Sequence, residues 1–253
     1  MQPWALITGS ARRVGAAIAA HLAQNGVRVI LHCSTSRAQA DNLAHSLANL
    51  PPPPVHQADH GPPTPTPPHA IDVIRITNGR LWLLVNNAAI YLPDSPIPAS
   101  PPTTPTPDPD PIHARKLFEA HASVNAGAAY QLALDLRPAL EATQGSIINL
   151  LDICIERPWK NFAAYSASKA ALASLTLSLA RQFAPAVRSN GICIGVADWP
   201  DNASPAFQQA YLARTPLQRP GSPDDIAHAV LALARQTYIT GALLPVDGGR
   251  RLT

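Results

Sequence analysis

The stretch WALITGSARRVGAAIAAHLAQNGVRVILHC, Trp4–Cys33, decides the fold. Trp4–Thr8 is a short apolar strand, TGSARRVG is a glycine-containing turn, and VGAAIAAHLAQ is an alanine-rich run at helical spacing that stops at Gly26, a C-cap. Val27–Cys33 is the next strand and closes a βαβ unit. Gly9 permits the tight turn and Gly15 a close backbone approach, while the helix N-terminus offers unpaired N–H groups and a positive dipole end to a phosphate. A plain strand-to-helix turn can carry the same pattern, so the reading depends on the rest of the chain.

The residues just after the second strand bear on the nucleotide. An NAD site places an acid there for the ribose hydroxyls, and an NADP site an arginine for the 2′-phosphate. In this chain they are His32, Cys33, Ser34, Thr35, Ser36 and Arg37, with no acid before Asp41, and Arg13 in the turn can reach the same place. This favours NADP(H), with simple solvation of the two arginines as the alternative.

Further along, a helix runs to about Leu50, and Pro54–Asp59 reads as a third strand whose terminal Asp59 can accept from an adenine amino group. The proline-rich stretch 60–68 can be neither helix nor central strand and is expected as a surface loop. Leu81–Val85 is a fourth strand, followed by Asn86-Asn87-Ala88-Ala89 and Tyr91. Strand C-termini of an open parallel sheet line its ligand crevice, which assigns Asn87 to the cofactor side and Tyr91 to the substrate side, unless Tyr91 is a loop anchor. A second proline-rich loop, 93–111, is expected at the rim. Ile112–Ala142 is mostly helical and carries Asn125, which faces either the crevice or solvent. Val187–Ala197 is a sixth strand, Asp198–Pro220 a candidate lid with a short helix at Pro205–Arg214, Pro223–Arg235 a helix capped by Ser222, and Leu243–Val246 the last strand. Strands alternating with helices over 253 residues predict α/β architecture. One Rossmann-type domain, 1–253, is expected, a doubly wound parallel sheet of about seven strands with helices on both faces.

The chemistry converges on Gly145–Leu172, GSIINLLDICIERPWKNFAAYSASKAAL. Ser146–Leu151 is a buried strand ended by Asp152, and the next helix puts Tyr165 and Lys169 one turn apart on one face. A nearby cation lowers a tyrosine pKa toward a range useful for proton transfer. Such a spacing alone is weak, but lysine occurs only at 116, 160 and 169, and Lys169 lies in a small, apolar helix.

Composition excludes several alternatives. A net charge of +3 with 14% charged residues is too weak and scattered for a nucleic-acid surface. Cys33, Cys154 and Cys193 lack paired spacing and read as reduced thiols, and the nine histidines lack metal-ligand spacing, so no metal is expected. No apolar run reaches the roughly 18 residues of a membrane span, and no signal sequence opens the chain, so a cytoplasmic protein without membrane partners is expected.

TGSARRVG, NNAA, the SVNAG step at Asn125, YSASK and YITG…VDGG together resemble the short-chain dehydrogenase/reductase family over essentially the full length. The resemblance implies that Tyr165 is the acid/base, that Lys169 binds the nicotinamide ribose and lowers the Tyr165 pKa, and that Asn125 holds a water relay. Arg13 stands where most members have a third glycine, and Asp152 where most have serine; both resemble the pteridine reductases, including the dihydromonapterin reductase-like branch. That resemblance implies NADPH as cofactor, held by Gly9, Arg12, Arg13, Val14, Gly15, His32, Ser36, Arg37, Asp59, Asn87, Ala88, Tyr165, Lys169 and Gly195. It implies a pterin bound by Tyr91, Asp152, Arg157, Trp159 and Tyr165, with Asn125, Asp152, Tyr165 and Lys169 catalytic, and a homotetramer. Ala89, Thr35 and Ile194 depart from residues common in that branch or family.

The chemistry agrees. Reducing a dihydropterin C=N needs hydride at carbon and a proton at nitrogen, which a carboxyl–phenol pair can supply. An aspartate beside a developing oxyanion repels it, which argues against a ketone substrate. The expected activity is therefore dihydropterin reduction, with a 3-oxoacyl-type carbonyl reductase as the alternative and a non-catalytic nucleotide sensor a third reading that the intact tetrad opposes.

Overall fold

A computed structural model describes residues 2–47, 53–57, 68–94, 110–200 and 203–253. Asp59 and nearly all of both proline-rich stretches lie outside the described residues, as does 201–202 within the expected lid.

The βαβ unit is β1 (Trp4–Ile7), α1 (Arg13–Gln24) and β2 (Arg28–Cys33). It is followed by α2 (Arg37–Ser46), the short β3 (Val55–Gln57), α3 (Pro68–Ile76) and β4 (Leu83–Asn86). Next come α4 (Pro111–His121), a π-helical turn (Ala122–Gly127), α5 (Ala128–Asp135), α6 (Arg137–Glu141), β5 (Ser146–Asp152) and α7 (Ala163–Gln182). The chain closes with β6 (Arg188–Ile194), α8 (Pro205–Leu212), α9 (Pro223–Arg235) and β7 (Leu243–Val246). The strands form one parallel seven-stranded sheet in the order β3-β2-β1-β4-β5-β6-β7.

Period-two alternation divides the side chains between two cores. Ala5, Ile7, Val29, Leu31, Val85 and Ile148 face α1 and α9, where Ile18, Leu22, Ile226 and Val230 cover them. Leu6, Ile30, Leu84 and Ile147 face the other way, onto Val73, Leu132, Leu140, Leu179 and Phe183. A sheet covered on both faces needs nearly continuous apolar strands, and LLVN and SIINLL supply them. Leu84 is fully buried, so Leu84→Ala is expected to lower unfolding free energy by about 2–5 kcal/mol, read as a lower urea midpoint at unchanged slope.

Strand order reverses between β1 and β4: the chain winds outward from β1 through β2 to β3, then returns to β1's other side. Ligands of open parallel sheets bind beyond the carboxyl ends of the strands at such a switch point. Here those ends are Thr8–Gly9 after β1 and Asn87-Ala88 after β4.

Two expectations from the sequence are corrected in extent. The helix expected to reach Leu50 ends at Ser46, and α3 begins at Pro68, inside the stretch expected to be loop. Proline is tolerated in a first helical turn because its missing N–H would be unpaired there anyway.

Candidate functional site

The glycine turn is built by tight packing. A Cβ on Gly15 would lie 2.3 Å from the Gly9 carbonyl oxygen and 2.6 Å from Asn87 Nδ2, so only glycine fits. Gly9 adopts φ +63°. Asn87 Nδ2 donates to the carbonyls of Thr8 at 2.9 Å and Gly9 at 3.0 Å. The Asn87 and Ala88 N–H groups donate to Thr8 Oγ1 at 2.9 and 3.0 Å. Asn87 and Ala88 thus clamp the turn across the switch point.

Arg12 occupies the N-cap of α1, its side chain makes no capping bond there, and no acid lies in the first turn. By contrast α9 carries a complete capping box from Ser222 and Asp225. An acid-free N-terminus whose N-cap residue makes no side-chain cap, beside two close-packed glycines, fits the pyrophosphate of a dinucleotide.

The residues expected at the ribose end have other partners as well. His32 is buried, and its Nδ1 accepts from the Gly9 N–H at 3.3 Å, so it braces the turn. Arg37 Nε donates to both Asp41 carboxylate oxygens at 2.9 Å. Ser36 takes the N-cap position of α2 without a side-chain cap bond. Arg13 turns away to Asp198, donating from Nε at 2.5 Å. Val14 packs on the α1 side of the core, and Gly195 lies so close to Asp247 that a Cβ would meet its Cα at 2.9 Å.

The second half of the site lies at the ends of β5 and α7. Tyr165 Oη donates to Asp152 Oδ2 at 3.0 Å, and Asp152 Oδ1 accepts from the Cys154 N–H at 2.7 Å. Lys169 Nζ donates to the Leu150 carbonyl at 2.8 Å and lies 5.9 Å from the centre of the Tyr165 ring. Asn125 is held by the π-helical turn and grips the loop after β4 through both ends of its amide. Its Oδ1 accepts from the Ile90 N–H at 2.8 Å, while its Nδ2 donates to the Ile90 carbonyl at 3.0 Å and to Ser168 Oγ at 2.9 Å.

Burial is the largest influence on the titration of all three ionisable groups, Asp152, Tyr165 and Lys169. It pushes the Tyr165 phenol well above its ordinary value, with the Asp152 charge adding in the same direction. It raises the Asp152 carboxyl despite the bonds from Cys154 and Tyr165, and lowers Lys169, opposed there by Asp152. The net direction for Tyr165 is therefore upward, beside the downward pull expected from Lys169. The two side chains do lie one turn apart on α7, but the ammonium bonds Leu150, and the lost hydration of the phenolate dominates.

On the side expected to face substrate, Tyr91 stacks on Phe162 with ring centres 4.6 Å apart and meets Tyr165 edge-on at 4.8 Å, leaving 42% of the residue exposed. Its hydroxyl is pushed up to about 12, by burial first and then by Asp152. Trp159 joins this cluster, 6.5 Å from Phe162 and 6.4 Å from Tyr211. Arg157 is exposed, adding its charge near Arg250 rather than bonding Asp152 or Tyr165.

Asp94 is a site residue that the sequence does not single out. Its carboxylate accepts from the Ala163 and Ala164 N–H groups at 2.6 and 3.2 Å, capping α7 from the loop after β4. Phe162, the local N-cap residue, supplies no such bond. Asp94 therefore ties the Tyr91 loop to the helix that carries Tyr165. Asp94→Ala is expected to cost about 0.5–2 kcal/mol, measured by thermal or urea unfolding.

All three cysteines are free and buried. Among the described residues, no group of three or more His, Cys, Asp or Glu could hold a metal ion, and no helix is long and apolar enough to cross a membrane.

Comparisons with known proteins agree with this architecture. A family model described as Enoyl-(Acyl carrier protein) reductase matches residues 9–251. A protein named as ketoacyl reductase 2 of the granaticin polyketide synthase of Streptomyces violaceoruber is 32% identical, covering 99% of this chain and 96% of its own. Pteridine reductase 1 of Leishmania tarentolae is 30% identical over 99% of this chain and 97% of its own. Dihydromonapterin reductase of Escherichia coli is 28% identical over 98% and 96%. The chain belongs to the short-chain dehydrogenase/reductase family, oxidoreductases that work with nicotinamide cofactors.

Proposed function

We propose that this protein is an NADPH-dependent reductase of dihydropterins. The observation that carries the reading is the hydrogen bond from Tyr165 Oη to Asp152 Oδ2 at 3.0 Å: a carboxyl stands where a hydroxyl would suffice to hold a ketone oxygen. Similarity to a pteridine reductase and a dihydromonapterin reductase over nearly the whole chain supports it.

The N-terminus of α1 and Gly9 would hold the pyrophosphate, Arg13 or Arg37 the 2′-phosphate, and Lys169 the nicotinamide ribose. The nucleotide supplies hydride when bound. Tyr165 keeps its proton through the neutral range, although the burial that holds it there also makes the phenol a weaker acid. Asp152, raised above the ordinary carboxylate range, gives its proton up more readily than the phenol and can pass one to a ring nitrogen or restore the one Tyr165 has given. Lys169 balances the carboxylate charge. The open part of the Tyr91 ring offers a wall for a flat heterocycle, with Trp159 beyond Phe162 and Arg157 at the outer edge.

A carbonyl reductase is the second reading, favoured by the similarity to the Streptomyces protein. NADPH and NADH oxidation measured against a dihydropterin, dihydrofolate and a short 3-oxoacyl thioester tests both parts. Dihydropterin-dependent oxidation of NADPH in preference to NADH is expected. Turnover of the thioester alone would replace the first reading with the second, and equal kcat/KM for the two nucleotides would remove the NADPH assignment.

A further inference from the structure

Arg13 has φ +53°, a left-handed backbone that non-glycine residues rarely adopt, and its side chain leaves the turn for the segment after β6. Nε donates to Asp198 Oδ2 at 2.5 Å, and Nη2 donates to the carbonyls of Asp198 and Trp199 at 3.3 and 3.0 Å. Both side chains are about half exposed, at 50% and 42%. A carboxylate and a phosphate use the same guanidinium fork, so Asp198 occupies the donors with which Arg13 would bind a cofactor phosphate.

The Asp198 segment is joined to an aromatic unit. The Trp199 ring meets Tyr211 edge-on at 5.5 Å and Phe207 at 6.2 Å, both on α8. Tyr211 Oη accepts from the Val196 N–H at 3.2 Å, and its ring lies 6.4 Å from Trp159 on the substrate side. Arg13 therefore connects the phosphate-binding turn to the segment that carries α8.

We propose that Asp198 is an internal competitor for Arg13: a nucleotide phosphate displaces its carboxylate, so that Asp198 sets cofactor affinity and cofactor binding frees the Asp198–Trp199 segment from the glycine turn. The inference rests on the nucleotide site assigned above. The displacing group is either the 2′-phosphate of NADPH or the pyrophosphate that NADPH and NADH share, and the two nucleotides distinguish these sources.

The test is equilibrium titration of the full chain, in the absence of substrate, with NADPH and with NADH for wild type, Asp198→Asn, Arg13→Ala and the double variant. Asp198→Asn is expected to tighten NADPH roughly two- to fivefold, the factor a half-exposed ion pair carries, and to have no effect in the Arg13→Ala background. Tightening of NADPH alone assigns the 2′-phosphate, and equal tightening of both nucleotides assigns the pyrophosphate. Unchanged or weaker binding by Asp198→Asn overturns the competition, as does tightening that persists without Arg13. Damage to the fold would weaken binding and cannot imitate the expected gain. A wild type that binds NADH as tightly as NADPH would overturn the nucleotide preference alone, since the Asp198→Asn comparison still decides the competition.

Discussion

Tyr165→Phe is expected to lower kcat by about 10²–10⁴ while leaving the fold and nucleotide affinity nearly intact. The substitution removes the hydroxyl that donates to Asp152 at 3.0 Å and keeps the ring that packs against Tyr91. Because burial holds the phenol well above its ordinary value, the wild type retains this donor throughout the neutral and mildly alkaline range. Single-turnover reduction, with nucleotide binding and thermal stability measured beside it, separates lost chemistry from lost structure. Wild-type turnover by Tyr165→Phe, with chemistry rate-limiting, would remove Tyr165 from the mechanism.

Asp152→Ser carries the second large effect, and it discriminates between substrates. On the proposed role the substitution removes the carboxyl that would supply the ring-nitrogen proton, so dihydropterin kcat is expected to fall about 10²-fold or more, the range of a positioned proton donor. NADPH affinity should change little, because Asp152 bonds Tyr165 and Cys154 rather than the glycine turn. Serine restores the hydroxyl that carbonyl chemistry uses, so activity on a reactive ketone is expected to rise.

The raised Asp152 value sets the pH dependence. With protonated Asp152 as the proton source, kcat/KM on the pterin is full at low pH and falls as pH rises through the folded-state pKa. That limb should be missing in Asp152→Ser. Stability has the same sign: a carboxyl whose folded pKa is raised contributes most below its unfolded value and loses that contribution as pH rises through the folded one. The stability of Asp152→Ser relative to wild type should therefore improve with rising pH, as measured by urea unfolding at several pH values.

Much of the fold is written locally in the chain. Ser222, Pro223, Asp224 and Asp225 spell a helix start because capping and dipole effects act within one turn, and α9 spans Pro223–Arg235 as expected. The Trp4–Cys33 unit is legible for the same reason: its strand, glycine turn and helix are each specified by neighbouring residues. The edge is harder. β3 is only Val55–Gln57, preceded by a run of prolines, and α3 hides Ala70 and Val73 behind the proline that starts it.

At the site, the structure joins Asp152 and Tyr165 by a hydrogen bond, as their places after a strand and on the next helix allow, but the sequence cannot show where charges pair across space. Asp94 meets Ala163 from 69 positions away, and Arg13 meets Asp198 from 185. No periodicity encodes such contacts. The direction of the Tyr165 shift is hidden for a related reason: a spacing reveals that an ammonium is near and says nothing about how deeply the phenol is buried. The π-helical turn at Ala122–Gly127, which directs Asn125 onto Ile90, is equally invisible in composition.

The most direct test of the central claim is a competition. Wild-type enzyme is given NADPH with a dihydropterin and a short 3-oxoacyl thioester at equal concentration, and both products are quantified, so that their ratio reports relative kcat/KM. Tetrahydropterin is expected as the dominant product. A predominance of the 3-hydroxyacyl thioester would contradict this and assign the Asp152–Tyr165 pair to carbonyl reduction.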